Sequence, residues 1–146
     1  MKRLAVIVTL IALLAASTAF AEVKDFGKFT LDVPAGWTSA QEGPTATITK
    51  DDKTAALTIT IMPSEGASAK DLATAFTEEF KKSFKTVGTP EADADGDYSW
   101  DMKNENGVNT KAMLHVEGGD CMLVTMTGLE TAGEEIGNIL GTLKDK

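Results

Sequence analysis

The chain has 146 residues, of which 42% are hydrophobic, and a formal net charge of −8. This length is typical of one domain with a substantial core. The acidic balance argues against binding to nucleic acid or to anionic lipid headgroups. The single cysteine excludes an intramolecular disulfide.

The first 21 residues have the pattern of a secretory signal peptide. Lys2 and Arg3 precede an apolar run over residues 4–16, and a small-x-small cleavage motif ends at Ala21. A retained membrane anchor is the alternative, but the apolar run is short and the cleavage motif follows it directly. We therefore expect cleavage between Ala21 and Glu22 and a periplasmic or secreted protein without a membrane span.

Residues 22–146 are expected to form a single domain, which begins with three strands. Alternating apolar residues predict a strand at Phe29–Val33, and Pro34 ends it. Gly36 allows a sharp turn, from which Trp37 is expected to fold back over the sheet edge. The same alternation predicts two further strands, around Ala46 and Ile48 and around Leu57, Ile59 and Ile61.

A helix is predicted over residues 68–85. Ser68 is a suitable N-cap, with Asp71 three residues later. A stripe with three- and four-residue spacing is expected to cover a core: Ala69, Leu72, Ala73, Phe76, Phe80, Ser83 and Phe84. An acidic link over residues 91–97 then leads to the next strands.

Residues 97–128 predict three antiparallel strands joined by tight turns at Asn106-Gly107 and Gly118-Gly119. With two-residue turns, the predicted partners are Val116–Cys121, His115–Met122, Leu114–Leu123 and Met113–Val124 in the second hairpin, and Tyr98–His115, Trp100–Met113 and Met102–Lys111 in the first. This register predicts one face with Tyr98, Trp100, Met102, Met113, His115, Met122, Val124 and Met126, and another with Ser99, Asp101, Ala112, Leu114, Val116, Cys121, Leu123 and Thr125.

The last predicted helix begins at a capping box formed by Thr131 and Glu134, and its apolar face carries Ile136, Ile139, Leu140 and Leu143. Both faces of the predicted sheet are apolar, so each needs a covering layer. The expected fold is therefore α+β, a three-layer α/β/α sandwich around a mainly antiparallel sheet.

The order of these elements, together with Phe29-Thr-Leu-Asp-Val-Pro-Ala-Gly-Trp37, resembles the PsbP/Mog-like superfamily. The resemblance covers residues 22–146, and bacterial envelope proteins of the DcrB type are the members nearest in kind. It implies an antiparallel sheet between helices and a non-catalytic accessory or binding role. The superfamily has no catalytic motif that could be matched to residues of this chain.

The acidic link contains three carboxylates at alternate positions, Asp93, Asp95 and Asp97. An EF-hand calcium loop would continue with glycine at its sixth position and glutamate at its twelfth, where Tyr98 and Asn104 stand instead. A solvated acidic turn is therefore favoured over calcium binding.

Met113, His115 and Met122 are predicted to share one face of the sheet. Two thioethers and an imidazole form a ligand set for Cu(I). The competing interpretation is that a helix covers this face, with methionine filling gaps and His115 hydrogen-bonded at the sheet edge. That interpretation is favoured, so no metal or cofactor site is predicted.

Catalysis is not expected, because His115 is the only histidine and neither Gly-x-Ser-x-Gly nor His-Glu-x-x-His occurs. Cys121 is expected to be a small buried hydrophobe.

The sequence favours a monomeric accessory protein that binds another component of the cell envelope. A protein that binds a small ligand, a lipid or a metal ion is the alternative. Recognition is expected in three loops: residues 41–44, residues 64–67 and the acidic link, which would favour a basic partner.

Overall fold

The computed structural model of the protein describes residues 21–146, so the predicted leader lies outside the described residues apart from Ala21. Within the described residues the chain forms eleven strands and two helices. In chain order they are β1 (Glu22–Asp25), β2 (Phe29–Val33), β3 (Trp37–Glu42), β4 (Thr45–Lys50), β5 (Ala56–Pro63), α1 (Ala69–Phe80), β6 (Thr86–Val87), β7 (Glu91–Ala92), β8 (Tyr98–Lys103), β9 (Asn109–Glu117), β10 (Asp120–Thr127), α2 (Leu129–Leu140) and β11 (Lys144–Asp145).

The strands form two antiparallel sheets. A large sheet has the order β3-β4-β5-β10-β9-β8-β6, with β7 also paired to β8, and a small sheet has the order β1-β2-β11. The predicted end of β2 before Pro34 is confirmed. After the turn at Pro34–Gly36, Trp37 begins β3, an edge strand that was not predicted, where it pairs with Lys50 and is buried.

One face of the large sheet packs against α2 and β2, and we call it the α2 face. Its buried core combines side chains from the sheet, the small sheet and the helix: Phe26, Phe29, Leu31, Val33, Trp37, Ala46, Ile48, Ala55, Leu57, Ile59, Val124, Met126, Ala132, Ile136 and Ile139. The layer that covers the α2 face therefore consists partly of strands, because β1 and β11 pair with β2 there.

The opposite face packs against α1, and we call it the α1 face. Its core contains Ala73, Trp100, Met102, Ala112, Leu114, Cys121 and Leu123. The predicted N-cap is confirmed, since the Ser68 hydroxyl accepts from the backbone amide of Asp71 at 3.1 Å. The helix ends at Phe80, earlier than predicted, although Phe84 still packs against the same core.

The predicted register is confirmed in the second hairpin, where His115 pairs with Met122 and Leu114 with Leu123. It is wrong by one residue in the first, where Tyr98 pairs with Leu114, Trp100 with Ala112 and Met102 with Thr110. A one-residue shift moves each side chain to the other face. Trp100 and Met102 therefore lie on the α1 face, not beside His115.

Asn104 is the cause of this shift. Its side-chain oxygen accepts from the backbone amides of Asn106 (2.9 Å) and Val108 (3.0 Å), and the Asn104 amide donates to the Val108 carbonyl. The connection is thus a five-residue loop closed by an asparagine, not a two-residue turn at Asn106-Gly107.

The predicted capping box at Thr131 is also wrong. Helix α2 begins at Leu129, after Gly128 in a left-handed conformation (φ 81°) and without a side-chain cap. Gly128 fits because a Cβ there would stand 2.3 Å from the Thr54 carbonyl oxygen, so the helix starts where the chain passes closest to the β4–β5 turn.

Candidate functional site

An open groove lies on the α2 face beside the C-terminal end of α2. It consists of two adjoining cavities of about 490 and 410 Å³, which share His115, Met122 and Leu143. We call it the His115 groove. Its floor is apolar: Ile61, Met113, Met122, Val124, Leu140 and Leu143. Its rim is polar: Lys28, Asp97, Glu117, Asp120, Asp145 and Lys146.

Strand geometry brings the central side chains together. Met113 and His115 are two residues apart on β9 and therefore share a face, and Met122 of β10 pairs directly with His115. The Gly118-Gly119 turn, with φ of 59° and 87°, fixes this register. The prediction that Met113, His115 and Met122 share one face is confirmed.

The corrected register of the first hairpin gives His115 its partner. Tyr98 pairs with Leu114, so Asp97, one residue earlier, comes opposite His115. The Asp97 Oδ1 atom lies 2.6 Å from His115 Nδ1, and Glu117 Oε2 lies 3.3 Å from Nε2. The bond to Asp97, followed by that to Glu117, raises the pKa of His115 above its ordinary value. His115 is therefore tied between two carboxylates.

The covering predicted for this face is incomplete. Met113 is 39% exposed, one of three large hydrophobic side chains that stand exposed within the described residues. Helix α2 packs over Val124 and Met126, and Glu130 near its start accepts from Asn109 of β9 at 2.9 Å, but Met113 is not part of the buried core on this face. An apolar floor is thus accessible from solvent at Met113.

The rim carries an excess of acidic groups. Lys28 Nζ donates to Asp120 at 3.1 Å, and Lys146 Nζ donates to Asp25 at 2.6 Å. Both lysines are thereby neutralised by carboxylates, while Glu117 adds a largely exposed negative charge. The electrostatic field of the groove favours cationic groups.

The three carboxylates of the acidic link do not converge. Asp93 Oδ1 accepts from the backbone amides of Asp95 (2.9 Å) and Asp97 (3.0 Å), which makes the segment a side-chain-closed turn. Only Asp97 reaches the groove. Within residues 21–146, no cluster of three histidine, cysteine or acidic side chains is placed to hold a metal ion.

Cys121 lies buried in the core of the α1 face, where burial raises the pKa of its thiol. It pairs with Val116, and its side chain points away from His115. No side-chain hydroxyl lines either cavity in the described part of the chain. Cys121 also borders the larger cavity, but its thiol belongs to the core of the α1 face.

The other predicted recognition loops have different positions. Gln41 and Glu42 belong to β3, which leaves Gly43-Pro44 as a short turn that lines neither cavity. In the loop at residues 64–67, the buried Ser64 donates from its amide and its hydroxyl to the Gly119 carbonyl, at 2.8 and 3.0 Å. That loop thus supports the turn at the end of the groove.

Sequence reasoning missed the residues that come from the chain ends. Lys28 precedes β2, and Leu143 and Lys146 flank β11, which pairs with β2. These side chains reach His115 only through long-range packing, and no local pattern indicates that.

Neither helix in the described part of the chain is long and apolar enough to cross a membrane.

No protein-family model matches the sequence, and no curated protein is significantly similar to it. Among solved structures, the fold is similar to the solution structure of cyanobacterial PsbP (CyanoP) from Synechocystis sp. PCC 6803, with a TM-score of 0.61 and 11% identity over 88% of this chain and 94% of that one. A crystal structure from Bacteroides thetaiotaomicron VPI-5482 is similar with a TM-score of 0.50 and 15% identity, over 88% of this chain and 49% of that one. The chain spans about half the length of that second protein. The chain therefore has a PsbP-like fold, a mainly antiparallel sheet with two helices.

Proposed function

We propose that this protein is a non-catalytic accessory protein of the cell envelope that binds a basic segment of another envelope protein in the His115 groove. The observation that carries the proposal is the groove itself, an accessible apolar floor bordered by an excess of carboxylates. A segment with alternating apolar and basic side chains would fill the floor and pair with the rim.

The role of His115 favours binding over catalysis. Asp97 and Glu117 raise the pKa of His115 and hold its ring in place, so the ring presents a fixed hydrogen-bonding group to a partner. The groove offers it no hydroxyl partner among the described residues.

The extracytoplasmic location, the DcrB type and the α/β/α arrangement belong to the same proposal. The leader pattern supports an extracytoplasmic location after cleavage between Ala21 and Glu22, and β1 begins at Glu22. The motif from Phe29 to Trp37 supports the DcrB type, and a covering layer on each face supports the α/β/α description.

The apolar cavity of about 410 Å³ favours one alternative, a lipid or other small ligand. Such a ligand would use the floor formed by Met113, Val124 and Leu140 and would depend little on the acidic rim.

Photo-crosslinking in intact cells separates these possibilities. A photoreactive residue at position 113 should capture one protein through a lysine- or arginine-bearing peptide, and the charge reversal Glu117→Lys should reduce that capture. The same residue at position 78, exposed on α1 across the sheet, is the matched control and should capture none of it. Fractionation of the same cells should place the protein in the extracytoplasmic fraction.

Two results would contradict the proposal. Equal capture at positions 113 and 78 would remove the groove as the binding surface. A lipid or small molecule retained in native mass spectrometry, with no captured protein, would establish the alternative.

A further inference from the structure

The geometry points to a binding site for a soft monovalent metal ion, Cu(I), on the floor of the His115 groove, with Met113, His115 and Met122 as ligands. This site goes beyond the proposed partner binding. It rests on three side chains that border one cavity of about 410 Å³.

The strand register supplies the spacing. His115 and Met122 are direct partners, and such partners have Cβ atoms about 4.5–5.5 Å apart. Met113 lies two residues along the same strand, on the same face, at about 6.6 Å from His115. These separations leave room for one ion between three flexible or pivoting side chains.

Asp97 selects the nitrogen that would bind the ion. Its Oδ1 lies 2.6 Å from Nδ1 of His115 and accepts the proton on that atom, which leaves Nε2 as the coordinating nitrogen. Histidine ligands usually donate their second ring nitrogen to a carboxylate in this way. Asp97 is therefore a positioning residue for His115.

Glu117 does not block the site. Its contact with Nε2 is long, at 3.3 Å, and its side chain is 83% exposed, so it can rotate away when an ion replaces the proton on Nε2. The acidic rim also raises the local concentration of cations.

Met113 is the independent observation. Met113 is 39% exposed and lines the cavity of about 410 Å³, outside the buried clusters on both faces of the sheet. Its thioether is accessible to an ion. Thioether and imidazole ligands favour Cu(I) over the harder divalent ions, and Cys121 cannot contribute because its side chain lies on the α1 face.

Cu(I) affinity, measured anaerobically in competition with a chromophoric chelator, tests the site on the purified protein. We expect one Cu(I) per chain. Met113→Leu and Met122→Leu should each weaken binding at least about tenfold, and Asp97→Asn about 10–100-fold. Met102→Leu is the matched control, because Met102 is buried on the α1 face, and it should bind as the wild type does.

Methionine methyl NMR with Ag(I), a redox-inert substitute for Cu(I), gives a second readout. The resonances of Met113 and Met122 should shift together, while those of Met62 and Met102 should not. Cys121→Ala should leave the affinity unchanged. Failure to retain Cu(I), binding that survives both groove substitutions, or binding lost only in Cys121→Ala would each overturn the inference.

Discussion

The side-chain carboxylate of Glu135 joins three elements, α2, β3 and β4. From α2, its Oε2 accepts from Trp37 Nε1 of β3 at 2.9 Å, and its Oε1 accepts from Lys50 Nζ of β4 at 2.7 Å. The bond to Lys50, followed by that to Trp37, lowers the pKa of Glu135, and the same bond raises the pKa of Lys50. This residue therefore anchors α2 to the far edge of the large sheet.

Glu135→Gln should lower the free energy of unfolding at neutral pH, and the difference from wild type should shrink on acidification. The folded-state pKa of Glu135 is below its unfolded value, so its stabilisation is present above the unfolded pKa and is lost as the pH falls through the folded pKa. Urea unfolding between pH 7 and pH 3 measures this. Glu134→Gln, at an exposed neighbour, is the control. A pH-independent difference would show that the carboxylate charge contributes nothing.

At the scale of elements, Gly128 joins β10 to α2 at a point where the β4–β5 turn approaches closely. A Cβ there would lie 2.3 Å from the Thr54 carbonyl oxygen and 2.9 Å from Ala55 Cα. Both atoms belong to the backbone, so the neighbouring chain would have to move. The start of α2 is therefore determined by tertiary packing.

Gly128→Ala should destabilise the fold by about 3 kcal/mol or more, since a clash with backbone adds to the strain of a left-handed alanine. Gly133→Ala is the matched control inside α2, where nothing lies within 4 Å of the added Cβ, and it should be neutral or stabilising by up to about 1 kcal/mol. Thermal unfolding of both variants measures the contrast. Equal melting temperatures would refute the role assigned to Gly128.

Helix α1 covers the α1 face less completely than its stripe predicts. Phe76, Phe80 and Phe84 are half-buried, although Phe80 lies 6.3 Å from Trp100 and 5.7 Å from Phe84, measured between ring centroids. The helix also leaves Trp100 Nε1 without a hydrogen-bond partner among the described residues. Each phenylalanine of the stripe is therefore expected to contribute less to the free energy of unfolding than a fully buried phenylalanine does.

Phe80→Ala should cost about 2 kcal/mol, less than the ~3–5 kcal/mol of a fully buried phenylalanine. Thr74→Ala, on the exposed side of α1, should change the stability by less than about 0.5 kcal/mol. Chemical denaturation of both variants measures the two changes in the free energy of unfolding. An unchanged midpoint for Phe80→Ala would mean that the stripe is a surface for a partner.

Local patterns predicted the elements that local forces determine. Ser68 capped α1, and Gly118-Gly119 set the register that brings His115 and Met122 together. The register of β8 was missed because Asn104, two residues before Asn106-Gly107, closes a longer loop with its own side chain. That error concealed Asp97 as the partner of His115.

At the scale of the whole molecule, the groove depends on residues far apart in sequence. Its floor comes from β5, β9, β10, the end of α2 and the segment that follows it, and its rim includes Lys28 and Lys146, which the small sheet brings together. Periodicity predicts which face a side chain occupies, but it does not predict where a covering layer ends. The exposure of Met113 was therefore beyond sequence reasoning.

One wall of the groove is held by β11, a strand of only two residues. Opening of so short a strand costs less free energy than global unfolding, and it would carry Leu143, Asp145 and Lys146 out of the groove together. The apparent affinity of any ligand that contacts this wall is reduced by the fraction of molecules in which β11 is undocked. Conditions that fray the C-terminal segment will thus weaken binding without altering a single contact residue, and a bound ligand will in turn slow amide exchange there.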